Sequence, residues 1–369
     1  MAAVVGTQEL RRTAVYVLKV LAVAVCYYAA GRLGLLRQLV VERAVVTPIW
    51  PPTGLAVASL LLLGVGIWPG IALGAFLVIA SISPPGRDAA GIVAGNTAAP
   101  LCAYFMLRHV GFRTELNRLR DGLALVFLGA LAAMLLSATV GVGLLVLVGK
   151  LPLHDSGLIW LAWWVGDAMG VLIVTPILLI LHRITWPLRM TRWKEALVVT
   201  LVACGLVPLA TRSSVSLLFL VYPLLVWAAL RFRLVGSILC ALLTSVLATI
   251  AATEHLGPFA RLTPVEVMMK LQAFNGTMAL TALLLSAVIT EQRNTRLSVE
   301  QACQELVEVL EHLTAGDTPP NRAPTDDATG ETATGEAATG EAATGEADAG
   351  EADAGEADEQ PPERREPPP

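Results

Sequence analysis

Ten apolar runs set the terms on which this chain folds. They lie at about 13–30, 51–65, 67–83, 89–108, 122–149, 156–181, 196–210, 215–230, 234–253 and 271–290. About 20 apolar residues span the hydrocarbon of a bilayer, and there the backbone must be helical because no water satisfies its polar groups. Only 15% of residues are charged, where a soluble domain carries roughly a quarter. The expected fold class is therefore all-α: a polytopic transmembrane helix bundle of 8–10 spans. The second and third runs are short, with Pro51, Pro52 and Pro69 in them and Gly64-Val65-Gly66-Ile67 between them. They form two spans or one re-entrant hairpin, giving ten spans, or eight plus the hairpin. Both choices return the chain to the same side.

Charge sets the orientation. Before residue 291 basic residues outnumber acids about two to one, and from Glu291 onward acids dominate. Arg108, Arg113, Arg118 and Arg120 follow the fourth run, and Arg183, Arg189, Arg192 and Lys194 the sixth. Arg231 and Arg233 follow the eighth, and Arg293 and Arg296 the tenth. The alternate loops hold fewer basic residues or balance them with acids. Cytoplasmic loops are the basic ones, so a multi-pass membrane protein with both termini in the cytoplasm is expected. Arg32, Arg37 and Arg43 dissent, falling on the side expected to be outside. They either snorkel, line a site, or mark an error in the early topology. Arg11, Arg12 and Lys19 lead into the first run without a cleavage site, so no cleaved signal peptide is expected.

The chain divides into a cytoplasmic N-terminus at 1–12, a membrane domain at 13–291, a cytoplasmic helix at 292–315 and a tail at 316–369. In the helix Val299, Cys303, Leu306, Leu310 and Leu313 recur at four-three-four-three spacing, a short coiled-coil seam. A homodimer is one consequence of such a seam. In the tail a five-residue unit repeats from Thr329-Gly-Glu-Thr-Ala to Ala354-Gly-Glu-Ala-Asp. It has no large apolar residue to bury, which predicts disorder. The tail is a solvated spacer or an acidic tether for a basic partner.

Asp167 is the one acid inside the long apolar runs. An acid at that depth costs roughly 2.5–3.5 kcal/mol on insertion scales, so it has a partner, a water-filled cavity or a function. Trp160, Trp163 and Trp164 share one broad helical face with it, and Gly166 and Gly170 form a small-xxx-small pair that admits a close neighbour. Thr175-Pro176 then kinks the helix. Asp167 therefore faces the bundle, where it either fixes packing against an Arg or a hydroxyl, or lines a ligand cavity. Thr47-Pro-Ile-Trp50-Pro-Pro-Thr53-Gly54 is either a membrane-entry turn or a broken helix whose N–H groups face an anion. Trp68-Pro69-Gly70 admits the same two readings. Asn96 needs hydrogen-bond partners in lipid, with helix-to-helix bonding the plain role. The residues expected at a signal or ligand cavity are Asp167, Trp163, Trp164 and Trp160, with Asn96, Trp50, Thr53 and Arg32.

Several chemistries have no support in the sequence. The five cysteines form no C-x-x-C pair and read as small buried hydrophobes. No H-E-x-x-H, G-x-x-x-x-G-K-[ST] or G-x-S-x-G motif occurs. The histidines sit at span edges or on the terminal helix. No catalytic residue, cofactor or metal is expected, nor nucleic acid as a partner. With no second acid in a span, a proton pump is not expected.

Taken in order, several of these motifs resemble the first type of membrane-associated sensor domain, MASE1, of bacterial signalling proteins. They are Gly31-Arg-Leu-Gly-Leu35, Pro48-Ile-Trp-Pro-Pro-Thr-Gly54 with Leu55, Trp68-Pro-Gly70 with Gly74-Ala-Phe76, and Gly95-Asn96-Thr97. Trp160 with Trp163-Trp164-Val-Gly-Asp167 and Gly170, then Thr175-Pro176, complete the set. The resemblance covers about residues 13–291 and implies a multi-helix signal-input module that sits ahead of a histidine kinase or diguanylate cyclase. Where an output domain would begin, this chain has its acidic repeat, with no kinase ATP-binding motif and no Gly-Gly-Asp/Glu-Glu-Phe loop. The expectation is a non-catalytic membrane sensor that perceives an unknown small-molecule or membrane signal in the lipid bilayer. It passes that signal to a separate partner, such as a histidine kinase. The alternatives are a small-molecule transporter, or a membrane anchor that recruits a basic partner through its tail.

Overall fold

The computed structural model describes residues 2–36, 39–41, 44–82, 84, 86, 88–183, 193–213 and 217–316. The acidic repeat lies outside the described residues, as do Arg37, Arg43, Arg87, Arg189 and Arg192. The protein is a polytopic helix bundle. Its helices are α1 (Ala2–Leu35), α2 (Pro51–Leu63), α3 (Trp68–Ile82), α4 (Ala89–His109) and α5 (Leu119–Ala124). The last of these continues through a π-helical stretch, Leu125–Ala132, into α6 (Ala133–Leu147). Then come α7 (Leu153–Arg183), α8 (Trp193–Arg212), α9 (Val221–Thr253) and α10 (Pro264–Gly316). Between α1 and α2 lies a small antiparallel hairpin, β1 (Leu39–Val41) with β2 (Ala44–Val46), Leu39 opposite Val46. Its valines suit extended backbone.

Among the described residues, eight helical stretches are long and apolar enough to cross a membrane, and Pro51–Leu63 is a shorter apolar helix. Close contacts give their directions. A Cβ on Gly70 would lie 2.4 Å from the Val20 carbonyl oxygen, and one on Gly31 would lie 2.5 Å from Val78. Residues 20 and 31 thus lie beside 70 and 78, and α1 and α3 run parallel. The start of α2 meets the end of α1, with Pro51 3.1 Å from the Cβ position of Gly34. The chain just past its end meets the other end of α1, where the Tyr16 hydroxyl donates to the Gly66 carbonyl at 2.9 Å. Those two points on α1 are roughly 27 Å apart along the helix axis. So α2, with the 3-10 turn Val65–Ile67, runs antiparallel to α1 along that length, and at 13 residues it is shorter than the membrane-length helices.

The stretch Leu218–Thr253 contains two traverses. Arg233 has φ 54° and ψ −140°, and a Cβ on Gly236 would lie 2.8 Å from the Ala228 carbonyl oxygen. Eight residues of unbroken helix would hold those groups roughly 12 Å apart. The chain therefore reverses at Arg233, as the paired arginines there imply. Each apolar run thus becomes one helical segment, and successive segments alternate in direction. One end of the bundle collects the loop between α4 and α5, where Arg183 meets Glu115 at 3.2 Å. Arg231, ion-paired with Glu195, and Glu291, which accepts from the Leu119 N–H at 3.0 Å, lie at the same end.

The bundle is packed from small residues and aliphatics. Val57, Leu125, Met134, Val171 and Ile173 fill the space among α2, α4, α6 and α7. Val207, Leu225, Ala241, Leu271 and Met278 fill that among α8, α9 and α10. Large apolar side chains such as Leu18, Val25, Phe105 and Leu201 point outward, a surface that a bilayer covers. The cysteines correct the sequence reading. Only Cys240 is buried; Cys26 and Cys204 are exposed because a membrane helix has an apolar exterior as well as an apolar core, and Cys303 is exposed on the polar end of α10. On α10, Val299, Leu306 and Leu310 are exposed.

Candidate functional site

The site begins where α2 starts against the middle of α7. Pro51 and Pro52 open α2, at positions where a helix needs no internal N–H donors. The Trp50 N–H immediately before them donates to the Gly166 carbonyl at 2.9 Å. Such contact requires glycine on both helices. A Cβ on Gly170 would lie 2.0 Å from the Trp50 carbonyl oxygen, and one on Gly54 2.1 Å from the Gly170 carbonyl oxygen. One turn further on, the Thr175 hydroxyl donates to the Gly54 carbonyl at 2.9 Å.

Within this junction Asp167 is 2% exposed. The Thr53 hydroxyl, in the first turn of α2, donates to its Oδ1 at 2.7 Å. A helix N-terminus favours negative charge beside it. The first turn of α2 thus meets an acid of the protein itself, through the Thr53 hydroxyl. The Ser137 hydroxyl and Trp163 ring nitrogen also approach the carboxylate, but their hydrogens go elsewhere. Trp163 Nε1–H donates to Ser137 Oγ at 3.3 Å, and Ser137 donates to Asn96 Oδ1 at 2.9 Å. Oδ2 of Asp167 is buried without a hydrogen-bond partner. Asp167 is also one of the residues lining a cavity of about 300 Å³ bounded by α1, α3, α4, α6 and α7.

A family model for the membrane sensor domain MASE1 matches residues 20–293, which takes in the junction, the cavity and the last span. The chain belongs to the MASE1 family. No curated relative and no solved structure matches it. MASE1 is a family of sensory input domains, and this MASE1 domain is a multi-pass helical bundle with the cavity in its interior.

Of the residues that the sequence marks for a cavity in this MASE1 chain, Asp167, Trp163, Asn96 and Trp50 line it. Thr53 stands behind Asp167 as its donor. Trp160 and Trp164 stack on each other, with centroids 5.7 Å apart, and do not line the cavity. Their ring N–H groups go to the Thr139 hydroxyl at 3.1 Å and the Leu131 carbonyl at 2.8 Å, so they bind α7 to its neighbour. Arg32 is exposed and also lies off the cavity lining. The three tryptophans share a face of the helix only broadly: Trp163 turns over Gly141, at 2.9 Å from its Cβ position.

Sequence reasoning missed four contributors. Tyr27 is 1% exposed and lines the cavity from α1, where nothing sets it apart from any other aromatic in a span. Ser137 links Trp163 to Asn96 from a run with no polar signature. Asp88 and Lys150, 62 residues apart, meet at the rim with Nζ 2.7 and 2.9 Å from the two carboxylate oxygens. Lys150 holds the Asp88 carboxyl below the usual carboxylate range by this hydrogen-bonded contact. In the sequence, Asp155 is the acid nearest to Lys150. The Asp155 carboxylate instead lies 3.3 Å from the His154 ring.

Proposed function

We propose that this MASE1 chain is a membrane sensor. It perceives a small molecule in the Asp167 cavity and passes the change through α10 to a separate cytoplasmic protein, such as a histidine kinase. The observation that carries the reading is a buried acid on a cavity wall, Asp167, one of whose carboxylate oxygens has no hydrogen-bond partner. A buried polar atom left open costs about 1–3 kcal/mol, and a bound ligand or water recovers it. The wall is also the α2–α7 junction, so occupancy acts on backbones already in contact. The output route is α10, which meets Leu119 at Glu291 and continues past the end of the family match.

The domain division of the proposal is a sensor at 13–291, a relay helix at 292–315 and an acidic tail at 316–369. The arginine-rich end of the bundle faces the cytoplasm of a bacterial cell, which puts both termini there and opens the cavity rim to the opposite side. The protein has no catalytic step of its own. The exposed seam at Val299, Cys303 and Leu306 is where a partner or a second copy docks. Deleting residues 292–369 tests the route: the membrane domain still inserts and the signalling output is lost. Output that persists unchanged after the deletion sinks the relay.

A further inference from the structure

We propose that the Asp167 cavity takes an organic cation, an ammonium group bearing a small apolar substituent. This rests on the reading of the cavity as the ligand site and adds the chemistry of the ligand. Three observations point to it. The charges at the rim satisfy each other, Lys150 being held by both oxygens of Asp88. Among the described lining residues that leaves Asp167 as the acid without a basic partner, with Oδ2 free of any hydrogen bond. The second observation is aromatic: Tyr27, Trp50 and Trp163 line the same space from three different parts of the chain. Carboxylate plus aromatic faces is the combination that attracts ammonium groups, through Coulomb attraction and the negative faces of the rings. The third is the remaining wall, formed by Val78, Ile79, Ile92, Leu145 and Ile159, which suits an apolar substituent. A volume of about 300 Å³ is at the small end for ligand sites.

Other ligand classes fit worse. An anion meets Asp167 with the nearby lysine already engaged. A neutral apolar molecule leaves Oδ2 unpaired in a low-dielectric interior. A primary to tertiary ammonium donates a proton to Oδ2 in a charge-assisted hydrogen bond. A quaternary one has no proton to give and is held by the carboxylate and the rings.

The test uses the full chain in lipid nanodiscs, titrated calorimetrically against empty nanodiscs. Three probes of similar size are used: benzyltrimethylammonium, benzyl alcohol and benzoate. The expected result is saturable binding of the cation, at least roughly tenfold tighter than that of the other two. Asp167→Asn keeps the acceptor for Thr53 and weakens cation binding by a similar factor. Ile92→Trp, which fills the cavity and leaves Asp167 in place, abolishes it. Benzyl alcohol binding as tightly as the cation, or cation binding unchanged by Asp167→Asn, overturns the cation assignment and leaves a ligand cavity standing. Saturable binding of none of the three overturns both. Cation binding as expected, with output indifferent to deletion of 292–369, sinks the relay and leaves the cation site intact.

Discussion

Asp167 and Asp121 are both buried acids, 2% and 3% exposed, and each has an Oδ2 without a partner. Their surroundings separate them. The bonded oxygen of Asp121 takes the backbone N–H of Arg113 at 3.2 Å, so this acid ties down the turn between α4 and α5. It sits at the arginine-rich end and is absent from the cavity lining. The bonded oxygen of Asp167 takes a side-chain hydroxyl from another helix, in mid-bundle, and the acid lines a cavity. A half-satisfied carboxylate is therefore not by itself a site. Its partner type and the space beside it decide.

The junction behind Asp167 is where the comparison breaks most easily. Gly170→Val places side-chain atoms against the Trp50 backbone, which cannot withdraw. We expect a loss of about 3 kcal/mol or more, read as lost monodisperse protein after heating in detergent. Gly205→Ala, with open space around its Cβ position, keeps or slightly raises stability. If Gly170→Val unfolds no earlier than wild type, the close α2–α7 contact is wrong.

The two acids separate next. Asp121→Ala leaves the Arg113 N–H unpaired and costs about 1–2 kcal/mol, with little effect on cavity binding. Asp167→Asn still accepts from Thr53, so its unfolding temperature stays near that of wild type while the signalling response disappears. Equal stability losses with no separation in response would erase the distinction drawn here.

A smaller effect belongs to the rim. The Asp88 carboxyl is held below its usual range by Lys150, so the pair contributes above the ordinary carboxylate value of about 4. That contribution fades as pH falls through the lowered folded value. Lys150 is half exposed, which limits the pair to about 0.2–1 kcal/mol and makes it salt-sensitive. Lys150→Ala should show that loss at neutral pH and converge with wild type in acid. A difference that persists in acid would mean that Lys150 acts through packing.

The helices were legible because hydropathy reports depth directly. Asp167 and its glycines were legible because a buried charge and small residues are costly or unusual where they stand. The paired arginines at 231 and 233 marked a reversal that the run lengths left implicit. Contacts between distant segments were not legible. Nothing in the spacing tells that Lys150 reaches Asp88, that Ser137 joins Trp163 to Asn96, or that Trp160 and Trp164 turn from the cavity while Trp163 lines it. A helical wheel places Cβ atoms on a face to within a quadrant, and large rings choose rotamers by what neighbouring helices leave open. The direction of α2 beside α1 needed the contact of Tyr16 with Gly66, which links residues 50 apart in the chain.

The smallest expected change in stability has the most to say about relay. Leu306 is 62% exposed on α10, beyond the last residue of the family match. Leu306→Asp adds a charge to a solvated face and removes no buried contact, so it should move bundle stability by less than about 0.5 kcal/mol. Cation binding at Asp167 should be untouched, because the substitution lies outside the cavity lining. If the seam docks a partner, output falls although the sensor folds and binds. The Asp167→Asn variant loses response at the input, and Leu306→Asp loses it at the output. Unchanged output in Leu306→Asp would move the relay off this face of α10.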